Sequence, residues 1–216
     1  MYFQIRRVLD TIIALIALII LFPLLLVIGI AVKLDSNGPA IFKQDRIGKD
    51  FVPYKMYKFR SMVVNAQNMG TGVYCFSGDP RVTKVGGFLR KTSLDELPQL
   101  WNIVKGDMAF VGPRSPVVGH FPEYDTLNEA YKRRFTVLPG ITGLAQITGR
   151  NELSWDEKVY YDNIYIDKVT QYGIFYDIKM WILTFVRVLT MKDVEETQEN
   201  MKKNNTSLQL KGEVKK

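Results

Sequence analysis

Residues 11–32 carry no charged side chain, and that run limits what the chain can fold into more than any other feature. It approaches the roughly 20 apolar residues that cross the hydrocarbon of a bilayer. It is longer than the apolar stretch of a secretory leader and no small-residue cleavage site follows it, so a retained membrane segment is expected. Its flanks are alike in charge. Arg6 and Arg7 precede it, and Lys33, Lys43, Arg46 and Lys49 follow, so the positive-inside bias favours translocating neither end. Pro23, in mid-run, removes one helical hydrogen bond and clashes with the carbonyl four residues back. One reading is an ordinary spanning helix. The other is a kinked helix that enters and leaves on one face, with protein groups bracing the freed backbone.

The chain has 216 residues, which allows one domain with appendages. A net charge of +7 suits an anionic partner, whether a phosphate-rich substrate, an acidic lipid surface or nucleic acid. One cysteine, Cys75, excludes an internal disulfide and a multi-cysteine zinc site. One histidine, His120, leaves histidine-based metal and hydrolase chemistry almost nothing to work with. Neither a P-loop nor a G-x-G-x-x-G motif occurs, so any bound phosphate must be held by basic side chains.

Local signals outline the remainder. Asn37-Gly38-Pro39 reads as a turn, and residues 41–47 and 51–59 as hairpin arms about Gly48-Lys49-Asp50. Residues 70–80 are loop-like, and residues 97–104 suit a helix with Pro98 in its first turn. Ser154-Trp155-Asp156-Glu157 is a capping box that should open a helix through Tyr160, Ile164 and Val169. Residues 175–189 are apolar but hold Asp177, Lys179 and Arg187, which fits a core helix or one lying in a membrane interface. The expected organisation is a membrane segment at 1–35, a catalytic domain at 36–191 and a polar, disordered tail at 192–216.

Four basic clusters stand out: Lys55, Lys58 and Arg60; Arg90 and Lys91; Arg114; and Arg150. Arginine is the side chain best shaped to grip phosphate with two parallel bonds, and Gly112-Pro113 beside Arg114 fixes the backbone that aims it. Asp95 and Glu96 are adjacent carboxylates at an expected helix start. They suit a helix cap, or a pair in which one attacks phosphorus while the other helps hold a metal ion, the helix end receiving the substrate's negative charge.

In order along the chain come Arg6-Arg7-x-x-Asp10, the apolar run with central Pro23, and Gly38-Pro39-x-x-Phe42-x-Gln44-x-Arg46-x-Gly48. Lys58-Phe59-Arg60-Ser61-Met62, the stretch from Leu89-Arg90 to Gln99, and Val111-Gly112-Pro113-Arg114 follow. With Pro139-Gly140-Ile141-Thr142-Gly143, Gln146 and Gly149-Arg150, the sequence closely resembles the monotopic bacterial phosphoglycosyl transferases up to about Leu189. Two positions depart from the family pattern: Ser115 separates Arg114 from Pro116, and Phe22, where serine is frequent, precedes Pro23.

The resemblance implies a small, mainly helical α+β cytosolic domain with a β-hairpin, anchored by a kinked re-entrant helix. It implies Asp95 as nucleophile of a covalent phosphosugar intermediate, Glu96 as its dyad partner, and Mg2+ held by the Asp95–Glu96 pair. Lys58, Arg60, Arg90 and Arg114 become candidates for phosphate contacts, and Pro23 for the membrane kink. The expected substrates are a nucleotide sugar, with uridine as the nucleotide, and polyprenyl phosphate at the inner membrane of a bacterium, the catalytic domain facing the cytoplasm. Nucleic acid is not an expected partner. The contrasting expectation is a non-catalytic tethered protein whose basic face binds acidic lipid or nucleic acid. A sugar-only glycosyltransferase is disfavoured because no Asp-x-Asp motif occurs.

Overall fold

The computed structural model describes residues 2–190 apart from 73–74, 77, 120 and 150–151. His120, Arg150 and the expected tail therefore lie outside the described residues. The apolar run forms helix α1, Tyr2–Asp35, with Pro23 inside it. Isoleucine, leucine and alanine dominate its middle, and nothing charged there competes for the backbone. The helix lies along the rest of the protein and is fastened at both ends.

At the first end, Arg6 is buried against Asp177, with Nε 3.0 Å from Oδ2, and also donates to the hydroxyl of Tyr165 at 3.0 Å. Arg7 donates to the carbonyls of Ile103 and Val104. At the other end, Arg60 donates to the carbonyl of Val32, one of the last four that a helix end leaves without partners, and to those of Ser36 and Asn37 just beyond it. Between them, Ala14, Ala17, Leu18 and Leu21 pack against Tyr54, Met56, Leu100, Ile103 and Met108. The opposite face, including Ile19, Ile20, Phe22, Val27 and Ile30, is exposed.

Strands β1 (Ile41–Ile47) and β2 (Pro53–Phe59) form an antiparallel hairpin, with Ile41 opposite Phe59 and Ile47 opposite Pro53. The second arm starts two residues later than expected. Residues 49–51 make a 3-10 turn in which Asp50 and Phe51 have φ of 54° and 61°, so Phe51 cannot join the ladder. Helix α2 (Lys84–Lys91) is capped by Thr83, whose side chain accepts from the Gly86 N–H. A 3-10 turn at Leu94–Glu96 then leads to α3, Gln99–Lys105. This helix starts later than expected because Leu97 and Pro98 belong to the turn and its cap.

Strand β3 (Ala109–Val111) pairs in parallel with β4 (Gly140–Thr142), a contact that no local sequence signal announces. The two backbones meet where a side chain has no room: a Cβ on Gly140 would lie 2.1 Å from the Gly112 nitrogen. Helices α4 (Glu129–Arg133) and α5 (Leu144–Thr148) flank this crossing. Helix α6, Trp155–Tyr172, opens with the expected capping box, and α7 is Ile174–Thr190. Met180 and Asp177 of α7 are buried, while Phe175, Ile178, Ile182 and Phe185 are exposed. The fold is a small, mainly helical α+β domain with an apolar helix laid along it.

Candidate active site

A cleft of about 700 Å³ opens between the hairpin, the Leu94–Glu96 turn and α6. Lys58, Arg60, Arg90, Asp95, Glu96 and Arg114 all line it, although they come from four separate stretches of sequence. Three local devices bring them together. Asn102 of α3 is fully buried, accepts from the Tyr57 N–H at 3.0 Å and donates to the Lys55 carbonyl at 2.7 Å, so β2 is held against α3. Ser93 adopts a left-handed conformation, φ 57°, which turns the chain from α2 into the short turn bearing the carboxylates. The Gly112–Gly140 crossing fixes the backbone just before Arg114.

Both carboxylates are buried, with Asp95 at 6% and Glu96 at 7% exposure. Lys58 Nζ donates to Glu96 Oε1 at 2.8 Å and lies 3.8 Å from Asp95 Oδ2, and Arg114 approaches the same Glu96 oxygen at 3.3 Å. Burial pushes the Lys58 ammonium down from its ordinary value, against the pull of Glu96 and Asp95. Among the described residues, Lys58 and Arg114 thus offset the charge of the buried carboxylates, a compensation that burial requires. The pair does not take the N-cap position of the helix that follows. Pro98 holds that position without a side-chain bond, and the carboxylates belong to the preceding 3-10 turn.

Arg60 differs from the sequence expectation. It lines the cleft, and both terminal nitrogens donate to carbonyls at and just beyond the end of α1, so they hold that helix. Its Nε is buried without a hydrogen-bond partner.

Other cleft residues were not selected from sequence. Arg46 donates to Gln44 Oε1 and to the Ser115 carbonyl, and burial brings it down to about 10. Ser115, the departure from the family pattern, also shares a 2.8 Å hydrogen bond with the Tyr54 hydroxyl. Arg134 donates to the Arg114 carbonyl at 2.7 Å, pairs with Asp162 at 2.9 Å and lies over the rings of Trp155, Phe135 and Phe121. Burial pushes Asp162 up to about 6, opposed by Arg134 and Lys158, and lowers Arg134. Desolvation outweighs attraction on both partners, so the pair sets geometry more than it adds stability. Arg46 and Gln44 lie within a quoted motif, whereas Arg134 and Asp162 carry no local signal.

No group of three or more histidine, cysteine or acidic side chains suited to a metal occurs among the described residues. Asp95 and Glu96 still suit magnesium, which is commonly bound through one or two carboxylates together with substrate phosphates.

A profile of the bacterial sugar transferases matches residues 1–191. The chain belongs to the bacterial sugar transferase family. It is 46% identical over 184 residues to the UDP-glucose:undecaprenyl-phosphate glucose-1-phosphate transferase of Escherichia coli (strain K12), covering 83% of the chain and 39% of that relative. It is 46% identical over 165 residues to the galactosyl transferase CpsE of Streptococcus agalactiae, covering 71% and 35%. The sugar transferase EpsL of Bacillus subtilis, whose activity is uncharacterized, is 40% identical over 166 residues, covering 77% of the chain and 78% of that relative. The chain spans about two-fifths of the length of the first of these.

Proposed function

We propose that this sugar transferase moves a sugar phosphate from a UDP-sugar to undecaprenyl phosphate, releasing uridine monophosphate and starting a glycoconjugate such as a capsule, exopolysaccharide, O-antigen or glycoprotein glycan. The observation that carries the reading is the buried Asp95–Glu96 pair, compensated by Lys58 and Arg114, on the wall of a cleft lined with further arginines. Relatives' names pair UDP-glucose with undecaprenyl phosphate, which supports the substrate classes.

Asp95 attacks the sugar-bearing phosphorus and forms a carboxyl–phosphorus bond as the bond to the nucleotide oxygen breaks. Nucleoside monophosphate leaves with that electron pair. A phosphate oxygen of the lipid then attacks the same phosphorus, releasing the Asp95 carboxylate and giving a lipid diphosphate sugar. Two steps through one covalent intermediate let a water-soluble donor and a membrane-bound acceptor use the site in turn. Arg114 and Arg90 hold the diphosphate, and Lys58 holds Glu96 beside the nucleophile. Magnesium, held by Asp95 and Glu96 with substrate phosphate, would offset the diphosphate charge.

The seating follows from α1. Because Arg6 and Arg7 tie one end, and Arg60 the other, to a single body, a helix crossing to the far side would have to break one set of contacts. We therefore read α1 as re-entrant, bent at Pro23, with its exposed face and that of α7 in the lipid and the domain on the cytoplasmic face of the inner membrane.

Offering purified enzyme a panel of nucleotide sugars with polyprenyl phosphate and assaying nucleotide release tests the reaction. Monophosphate is expected, with an adduct on the peptide containing Asp95, and Asp95→Asn should abolish both. Release of diphosphate would indicate transfer of the sugar alone. Turnover by Asp95→Asn would show that Asp95 is not the nucleophile, and no nucleotide release by the wild type from any donor would return the reading to a non-catalytic tethered protein.

A further inference from the structure

The membrane helix does more than hold the enzyme at the lipid surface, because its last turns are built into the wall of the active site. Ile28 and Val32 are buried in one apolar cluster with Phe59 and Leu89, and Leu25, Val85, Leu94 and Leu97 pack against it. Leu94 and Leu97 bracket Asp95 and Glu96 in sequence, Phe59 follows Lys58, and Leu89 precedes Arg90. The elements that carry Lys58, Arg90, Asp95 and Glu96 thus rest on the end of α1.

Two polar ties pin that junction. Arg60, at the end of β2, holds the Val32, Ser36 and Asn37 carbonyls with two of its three nitrogens. Asp35, the last residue of α1, accepts from the Val85 N–H at 2.9 Å in the first turn of α2 and takes a hydrogen bond from Thr83, and these bonds hold its carboxylate below the ordinary range. Helix α2 runs from there to Arg90, and the 3-10 turn follows after Thr92 and Ser93. The path from α1 to the carboxylates is therefore short on both sides: two residues from Arg60 back to Lys58, or one brief helix from Asp35.

We infer that Arg60 is a positioning residue that, with Asp35, couples the seating of the membrane helix to the geometry of Lys58, Asp95 and Glu96. It does not serve as a phosphate ligand. The inference rests on the proposed transfer reaction for its kinetic consequence, but its structural content is independent of that reaction. A shift of about 1 Å at reacting groups can slow catalysis on the order of 100-fold, so loosening the junction should act on turnover more than on donor binding.

The test uses the full chain in lipid nanodiscs, comparing wild type, Arg60→Ala and Asp35→Asn. Hydrogen exchange is read at the Glu96 and Leu97 amides, which donate to the Ser93 and Leu94 carbonyls and not to either substituted side chain. Faster exchange there in both variants, with the β1–β2 amides still protected, is the expected result. In the kinetic arm, kcat should fall on the order of 10- to 100-fold while KM for the nucleotide sugar stays within about twofold. Unchanged exchange at residues 96–97 overturns the coupling, and a raised KM at constant kcat makes Arg60 a donor ligand. If the wild type releases no monophosphate from any nucleotide sugar, the reaction assignment fails, while exchange still decides the coupling. Should Arg60→Ala not fold, Asp35→Asn, which keeps the side chain's size, reads the same two amides.

Discussion

Asp162 shows how a residue with no sequence signal acquires a role through burial. Its carboxyl sits at about 6 instead of near 3.8 because the cleft wall excludes water, even with Arg134 at 2.9 Å. A raised folded value means that its contribution to stability is fully present below the unfolded value and is lost as pH rises through about 6. Wild type should therefore gain about 1 kcal/mol relative to Asp162→Asn between pH 7 and pH 5, measured by urea denaturation at each pH. No relative gain would place the carboxyl in water. Lys58 belongs to the same scale. Its location in a strand and its charge are readable from the sequence, but the 2.8 Å contact with a carboxylate 38 residues away is not.

Among elements, the β3–β4 crossing bears most directly on the site, because it fixes the backbone of Val111-Gly112-Pro113-Arg114 against Pro139-Gly140-Ile141-Thr142-Gly143. Gly112 N–H donates to the Thr142 carbonyl and Gly140 N–H to the Pro113 carbonyl. A methyl group on Gly140 would meet backbone atoms at 2.1–2.5 Å, and backbone cannot rotate away as a side chain can. Gly140→Ala should destabilise by about 1–3 kcal/mol or more and lower activity by moving Arg114. Gly87 in α2 is the control. A Cβ there meets only a Val82 methyl carbon at 3.8 Å, so Gly87→Ala should be neutral or stabilise by about 0.5–1 kcal/mol. Thermal melts of the two variants check the contrast, and equal losses would mean that the crossing is no tighter than an ordinary helix face. The two glycine motifs could be recognised from the sequence; that they serve each other could not.

For the whole molecule, the proposed seating on a bilayer rests on how the apolar helix is fastened. Arg6 and Arg7 read from sequence as flanking charge, and Asp177 as a burden on an apolar helix. Folding makes Arg6 and Asp177 a buried pair and turns Arg7 into a cap for α3. Both ends of α1 are then bound to one body, and tags placed before Arg6 and after Lys216 should report the same compartment in intact cells. Opposite compartments would require α1 to cross the bilayer and would refute the re-entrant seating.

By itself the sequence determined the existence of the apolar helix, the hairpin, the capped helix α6 and the identity of the acidic pair, because each is encoded by neighbours along the chain: an uncharged run, alternation about a turn, a capping box, a motif. It also supplied Arg60, within Lys58-Phe59-Arg60-Ser61-Met62, and Arg114, beside Gly112-Pro113, as candidate cations. Only the tertiary structure decided what those cations meet. Arg114 reaches Glu96 and Arg60 reaches the end of α1, and the difference lies in long-range packing, which brings together groups 18 and 23–28 residues apart. A guanidinium binds whichever carboxylate or free carbonyl the fold presents to it, so its residue type and local motif could not assign its partner.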